Sequence, residues 1–224
     1  MHRLDPQLIL NILSWLSSSN KSQYDPLINL GYKSINVSAH VGISWSEKLS
    51  ALNLQDFTLT ANDMGSIKFT AQVVDVNKAA LLNSSDLANL PLYLGQSKLT
   101  AAGLIFENDG LFTRALENAM QRAKVDANGI KEVYLSQFGS LLAPLPQEIR
   151  TELMNGISSF LEDPKSLAIT AQAEPGIALA ELVGSYEGLR ISATANAQSV
   201  ADYGSINRMV TNGSQLLTGH SQSR

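Results

Sequence analysis

Hydrophobic and polar residues alternate strictly along residues 34–45. The apolar positions are Ile35, Val37, Ala39, Val41, Ile43 and Trp45. The residues between them are Ser34, Asn36, Ser38, His40, Gly42 and Ser44. Because successive side chains of an extended strand point to opposite faces, this period of two predicts a half-buried antiparallel strand.

Similar patterns predict about five further strands. They cover residues 52–61, 67–73, 98–107, 165–173 and 189–195. In the second strand the apolar parity shifts near Gln55 and Asp56, which predicts a bulge or a bend. The sequence Asn62-Asp63-Met64-Gly65 predicts a hairpin connection to the third strand.

Helical periodicity dominates residues 110–163, where apolar residues recur at intervals of three and four in three successive stretches. This predicts an insert of three amphipathic helices joined by short turns. Shorter helical segments are predicted after Asp25-Pro26 and up to Gly31, over residues 84–90, and from Pro175 to Val183.

The first helix is predicted from Asp5-Pro6 to Ser18, because an aspartate followed by a proline is a favourable helix start. Its apolar residues occupy most of the circumference, so more than one side of the helix has to be buried against other parts of the protein or a partner. Burial in the protein's own core is the favoured explanation, and docking on a partner or a membrane surface is the alternative. The candidate interaction surface comprises Leu8, Ile9, Ile12, Trp15 and Leu16.

Together these elements predict an α+β fold, in which a curved antiparallel sheet of about six strands packs against helices. The 224 residues, of which 44% are hydrophobic, are enough to bury a core without disulfides, and the chain has no cysteine. We expect a single domain over residues 1–224, with a peripheral tail at residues 203–224 that is poor in apolar residues.

The charge pattern narrows the choice of partner. The 16 lysines and arginines stand against 20 acidic residues, and neither sign forms a long run, so a nucleic-acid interface is not expected. No apolar stretch is long enough to predict a membrane-spanning helix. The N-terminus lacks the pattern of a secretory signal, so an exported protein would correspond to a mature form or an excised piece.

Candidate chemistry is sparse. Of the three histidines only His40 lies in a predicted element, on the polar face of the first strand. No serine-nucleophile, zinc, calcium or phosphate-loop motif accompanies it, so we assign no catalytic residue, no metal ligand and no cofactor. A hydrolase that combines His40 with a serine or carboxylate from a neighbouring strand remains the enzymatic alternative.

Two stretches resemble a known group of proteins. They are Leu99–Leu104 leading into Glu107–Ala115, and Phe160–Leu167 continuing through Glu174–Leu182. Both are similar to uncharacterised secreted or periplasmic proteins of Gram-negative bacteria, over about residues 95–195. The resemblance implies a periplasmic or otherwise secreted location, and it carries no catalytic residue over to this chain.

These observations lead to three hypotheses about function. The first is a non-enzymatic module of the cell envelope that binds a hydrophobic small molecule or a protein partner. The second is the hydrolase with a site around His40. The third is a structural or assembly protein that uses the N-terminal helix. Oligomeric state, strand order and the identity of a ligand do not follow from the sequence.

Overall fold

A computed structural model describes residues 27, 29–79, 94–181 and 186–196. The chain divides into two compact units, residues 1–35 and 36–224. In the first unit a helical segment around Leu27 ends at Gly31, as predicted. Gly31 has a φ of 87°, and the N–H of Tyr32 donates to the carbonyl oxygen of Leu27 at 3.2 Å. The predicted helices at residues 5–18 and 84–90 and the predicted tail at 203–224 lie outside the described residues.

The second unit contains a six-stranded antiparallel sheet that does not close on itself. Its strands are β1 (Val37–Ser46), β2 (Ala51–Ala61), β3 (Gly65–Val74), β4 (Lys98–Asn108), β5 (Ser166–Ala178) and β6 (Leu189–Ala195). They lie in the sheet in the same order as along the chain, so each strand pairs with its sequence neighbours. The predicted α+β fold with about six antiparallel strands is confirmed.

Three helices connect β4 to β5, which confirms the predicted helical insert. They are α1 (Leu111–Ala123), α2 (Ala127–Leu142) and α3 (Gln147–Glu162). Polar side chains satisfy free N–H groups at two of the helix starts. The Oδ1 atom of Asn108 accepts a hydrogen bond from the N–H of Phe112 at 2.8 Å, and Oδ1 of Asp126 accepts one from the N–H of Gly129 at 2.9 Å.

The predicted irregularity in β2 is present. Along the β1–β2 pair, Gly42 is opposite Asp56 whereas Ile43 is opposite Leu54, so Gln55 is an extra residue in β2. This bulge restores the apolar side chains after it to the same face as those before it. The hairpin between β2 and β3 is also confirmed, with the N–H of Met64 donating to the carbonyl oxygen of Ala61 at 3.1 Å.

The helix predicted from Pro175 to Val183 is wrong over residues 175–181, the part of it that the structure describes. Strand β5 continues to Ala178, where Ile177 and Ala178 pair with Leu99 and Lys98 of β4. A single 3-10 turn follows at Leu179–Glu181. The proline and the short apolar spacing favour a helix locally, but pairing with β4 supplies hydrogen bonds that a short helix could not outweigh.

The helices pack on one face of the sheet, mainly against its last three strands. Phe106 of β4 places its ring 5.8 Å from that of Phe160 in α3, and Phe112 of α1 lies 5.0 Å from Phe160. Helix α3 contacts β6 most extensively and β5 to a smaller degree. Its buried residues are Ile149, Leu153, Gly156, Ile157, Phe160 and Leu161.

Candidate functional site

One row of side chains crosses the whole sheet on the face that carries the helices. Direct cross-strand pairing links Val41, Phe57, Phe69, Leu104, Ile169 and Ala193, one residue from each strand. The neighbouring row contains Ile67 of β3 and Phe106 of β4, which are also directly paired. All six strands therefore contribute apolar side chains to this face.

The two halves of this apolar face differ in how they are covered. At the β6 end, α3 approaches so closely that a Cβ atom on Gly156 would lie 2.5 Å from the Cβ of Ala193. In the middle of the sheet, Ile67, Phe69 and Leu104 are respectively 42%, 36% and 39% exposed. We call these three residues the central apolar patch.

The central apolar patch is contiguous. Phe69 lies directly opposite Leu104, and Ile67 is two residues before Phe69 on the same face of β3. Val37 and Ile43 on β1 are also exposed and have the same orientation, since they pair with Ala61 and Leu54. Neighbouring apolar residues that remain accessible to water mark sites where a partner or ligand binds more often than isolated ones do.

The opposite face carries the polar residues that the sequence pattern predicted, including His40. The structure places His40 of β1 opposite Thr58 of β2, and Thr58 opposite Lys68 of β3. Asp56 belongs to the irregular part of β2, and its side chain lies near both His40 and Lys68. Its carboxylate is 3.9 Å from Nε2 of His40 and 4.0 Å from Nζ of Lys68, and it accepts a hydrogen bond from the Thr58 hydroxyl.

This polar cluster does not have the geometry of a catalytic dyad. A separation of 3.9 Å is too long for a hydrogen bond that would orient an imidazole. The His40 side chain is 70% exposed, so water competes for both of its nitrogens. Lys68 lies as close to the carboxylate as His40 does. The cluster is therefore a group of weakly interacting side chains that are open to water rather than a buried relay.

A second polar cluster on this face is a hydrogen-bonded chain across three strands. The side-chain amide of Gln72 donates to Oδ1 of Asn53 at 3.0 Å, and the Thr100 hydroxyl donates to Oε1 of Gln72 at 2.8 Å. Gln72 is buried. Because these partly buried side chains bond to one another, their polar groups are satisfied within the sheet, and the bonds link β2, β3 and β4.

No group of three or more potential metal-ligating side chains occurs among the described residues. No helix in the described part of the chain is long and apolar enough to cross a membrane. The candidate surface of the N-terminal helix, Leu8, Ile9, Ile12, Trp15 and Leu16, lies outside the described residues.

The central apolar patch was not singled out from the sequence, because alternation shows which residues share a face but not which part of that face the helices cover.

Comparison with known proteins identifies a family. The model of a family described as "Uncharacterized protein" matches residues 58–198, which span β3 to β6 and the whole helical insert. The chain belongs to this family. No curated protein and no solved structure matches the chain. The matched region contains all three residues of the central apolar patch. The description of the family assigns no activity.

Proposed function

We propose that this protein is a non-enzymatic module of the bacterial cell envelope that binds a hydrophobic partner through the central apolar patch. The observation that carries the proposal is the exposure of Ile67, Phe69 and Leu104 side by side on the sheet. Removing such side chains from water is favourable by about 25 cal/mol for each Å² of apolar surface. An occupant of this surface would gain that energy with little rearrangement of the paired strands.

The occupant is either a hydrophobic small molecule or an apolar surface of another protein. The envelope location is part of the proposal, and its motive is the resemblance of about residues 95–195 to uncharacterised secreted or periplasmic proteins that the sequence suggested. Cell fractionation tests the location: the proposal expects the protein with the envelope fractions, and recovery with cytosolic markers alone would contradict it.

Two experiments separate the two kinds of occupant. Native mass spectrometry of the gently purified chain should reveal a bound small molecule, which the Phe69→Ser variant should lose. For a protein occupant, a photoreactive phenylalanine analogue at position 69 should form a cross-link in cells. The same analogue at Leu141, a 72% exposed leucine of α2, should not. An unliganded mass together with identical cross-linking at both positions would refute the proposal.

One structural observation motivates the hydrolase hypothesis, namely that His40 and Asp56 lie close to each other. The distance and the exposure described above do not favour it, and it stays a prediction with its own test below. The assembly hypothesis for the N-terminal helix also stays a prediction. If deletion of residues 1–20 changed neither the oligomeric state nor the solubility, that hypothesis would be abandoned.

A further inference from the structure

Strand β1 forms an edge of the sheet in the part of the chain that the structure describes. It is ten residues long, and among the described residues it pairs with β2 alone. In an antiparallel edge strand every second residue directs its N–H and C=O away from the sheet. Such a row of backbone groups is a template for another strand.

The two edges of the sheet differ in how well they are protected. Proteins commonly block an edge by keeping it short, by placing charges on it, or by covering it. Strand β6 has seven residues, carries Arg190, and is packed by α3. Strand β1 is longer and contains no lysine, arginine, aspartate, glutamate or proline. Pairing is therefore favoured at β1.

The side chains of β1 also indicate an incomplete sheet. Val37 and Ile43 are exposed on the apolar face although both pair with residues of β2, so the contacts with β2 alone do not shield them from water. An additional strand beside β1 would place cross-strand neighbours next to both residues. The open backbone edge and the exposed side chains are two independent observations that point to the same position.

We propose that β1 pairs antiparallel with β1 of a second copy of this chain. A two-fold axis perpendicular to the sheet relates the copies, so two six-stranded sheets become one continuous sheet. This axis keeps both apolar faces on the same side. When His40 is neutral, β1 contains no charged side chain. Pairing between two copies of β1 therefore places no like charges opposite each other.

The same reasoning disfavours other arrangements. Pairing of β1 with β6 of another copy would leave a free edge at each end and would continue into an open filament. The β1–β1 pair closes after two copies. The inference concerns the backbone edge rather than the central apolar patch, so it holds whether or not that patch binds a ligand.

The absence of cysteine from the chain permits a direct test. His40 of β1 and Ser192 of β6 are both exposed on the polar face, so each can be replaced by a spin-labelled cysteine without touching the backbone edge. In the proposed dimer the two labels of His40→Cys lie within about 20 Å of each other. The labels of Ser192→Cys are separated by eleven strand spacings, about 40–50 Å after twist.

Sedimentation equilibrium of the unlabelled full chain accompanies the distance measurement. A dimer with a short distance at position 40 and a long distance at position 192 supports the proposal. A chain that stays monomeric as its concentration rises overturns it, as does a dimer with any other pattern of distances. Pairing of β1 with a strand of a different protein would appear as the monomeric outcome.

A charge at the edge provides a second test with a matched control. Ser38→Lys places a lysine on β1, and Ser192→Lys places the same residue on β6, with both serines exposed. The first variant should raise the dimer dissociation constant about fivefold, because a lysine on an edge strand disfavours its pairing with another strand. The second should leave it unchanged. Equal effects of the two variants would overturn the proposal.

Discussion

Gly156 of α3 lies directly against Ala193 of β6, and a Cβ atom on Gly156 would meet the Cβ of Ala193 at 2.5 Å and its backbone carbonyl at 3.0 Å. This contact is the closest approach of the helical insert to the sheet that the described glycines reveal. The absence of a side chain at position 156 allows α3 to bury its apolar residues on β5 and β6. The central apolar patch lies on the same face of the sheet, beyond α3.

Gly156→Ala should therefore destabilise the protein. Alanine favours a helix by about 1 kcal/mol over glycine, but the added methyl group would force α3 away from β6. We expect a net loss of about 1–2 kcal/mol in the free energy of unfolding, measured by urea denaturation. Gly139→Ala in α2 is the matched control, since nothing lies within 4 Å of its Cβ position. It should gain about 0.5–1 kcal/mol. A gain at both positions would show that the close contact is not needed.

Asn108 joins the end of β4 to the start of the helical insert and to the end of α3. Its side-chain oxygen accepts from the N–H of Phe112, and its side-chain nitrogen donates to the carbonyl oxygen of Pro164 at 2.7 Å. Asn108→Ala should lower the free energy of unfolding by about 1–3 kcal/mol, because it removes a helix cap and leaves a carbonyl without its donor.

Asn108→Asp provides the comparison for this prediction. It keeps the acceptor for Phe112 and loses the nitrogen that donates to Pro164 and to the Thr113 hydroxyl, so its loss of stability should be smaller than that of the alanine variant. Thermal or urea unfolding of both variants measures the difference. Equal losses would mean that capping of α1 contributes nothing measurable.

The carboxylate of Glu47 has a perturbed titration. A hydrogen bond from Lys78 lowers the pKa of Glu47 below its ordinary value of 4.5. The Lys78 ammonium also lies 5.4 Å from the centre of the Trp45 ring. Because the folded-state pKa is depressed, the pair favours the folded state above the ordinary pKa. That contribution is lost as the pH falls below 4.5 and through the folded-state pKa.

Carboxylate titration by NMR tests this assignment. Lys78→Met should raise the pKa of Glu47 towards its ordinary value, because it removes the donor and its charge. Lys98→Met, which removes the ion-pair partner of Asp75 at 3.2 Å, should leave the Glu47 titration unchanged. An unaltered Glu47 titration in Lys78→Met would contradict the assigned cause.

The proposal of a non-enzymatic module predicts the behaviour of His40. A broad-spectrum probe for hydrolases should label neither the natural chain nor His40→Ala, since His40 is exposed and lies 3.9 Å from its nearest carboxylate. Labelling that disappears in His40→Ala would support the hydrolase hypothesis instead.

The sequence predicted local features of the sheet well. Alternation along residues 34–45 identified β1 and placed His40 on the polar face, and the parity shift near Gln55 and Asp56 identified the bulge. These features depend on side-chain direction within a single strand, which the order of residues specifies directly. The three helices of the insert followed from periodicity and turn residues in the same way.

Features that depend on distant pairing were not predictable. The approach of Asp56 and Lys68 to His40 depends on the register of three strands, which alternation does not specify. Continuation of β5 to Ala178 depends on its pairing with β4, which local helix signals cannot report. Exposure of Phe69 and Leu104 depends on where α3 lies across the sheet, and that position depends on the small residues at Gly156 and Ala193.

Two leucines provide the most direct test of the central apolar patch. Leu104→Ser removes an apolar side chain from the patch, whereas Leu141→Ser makes the same chemical change on α2, outside it. The measurement is the affinity of each purified full chain for anilinonaphthalene sulfonate, with near-UV circular dichroism confirming that both variants remain folded. The account predicts that the natural chain binds the probe, that Leu104→Ser binds it about tenfold more weakly, and that Leu141→Ser is unchanged. Equal affinity of both folded variants and the natural chain would contradict it.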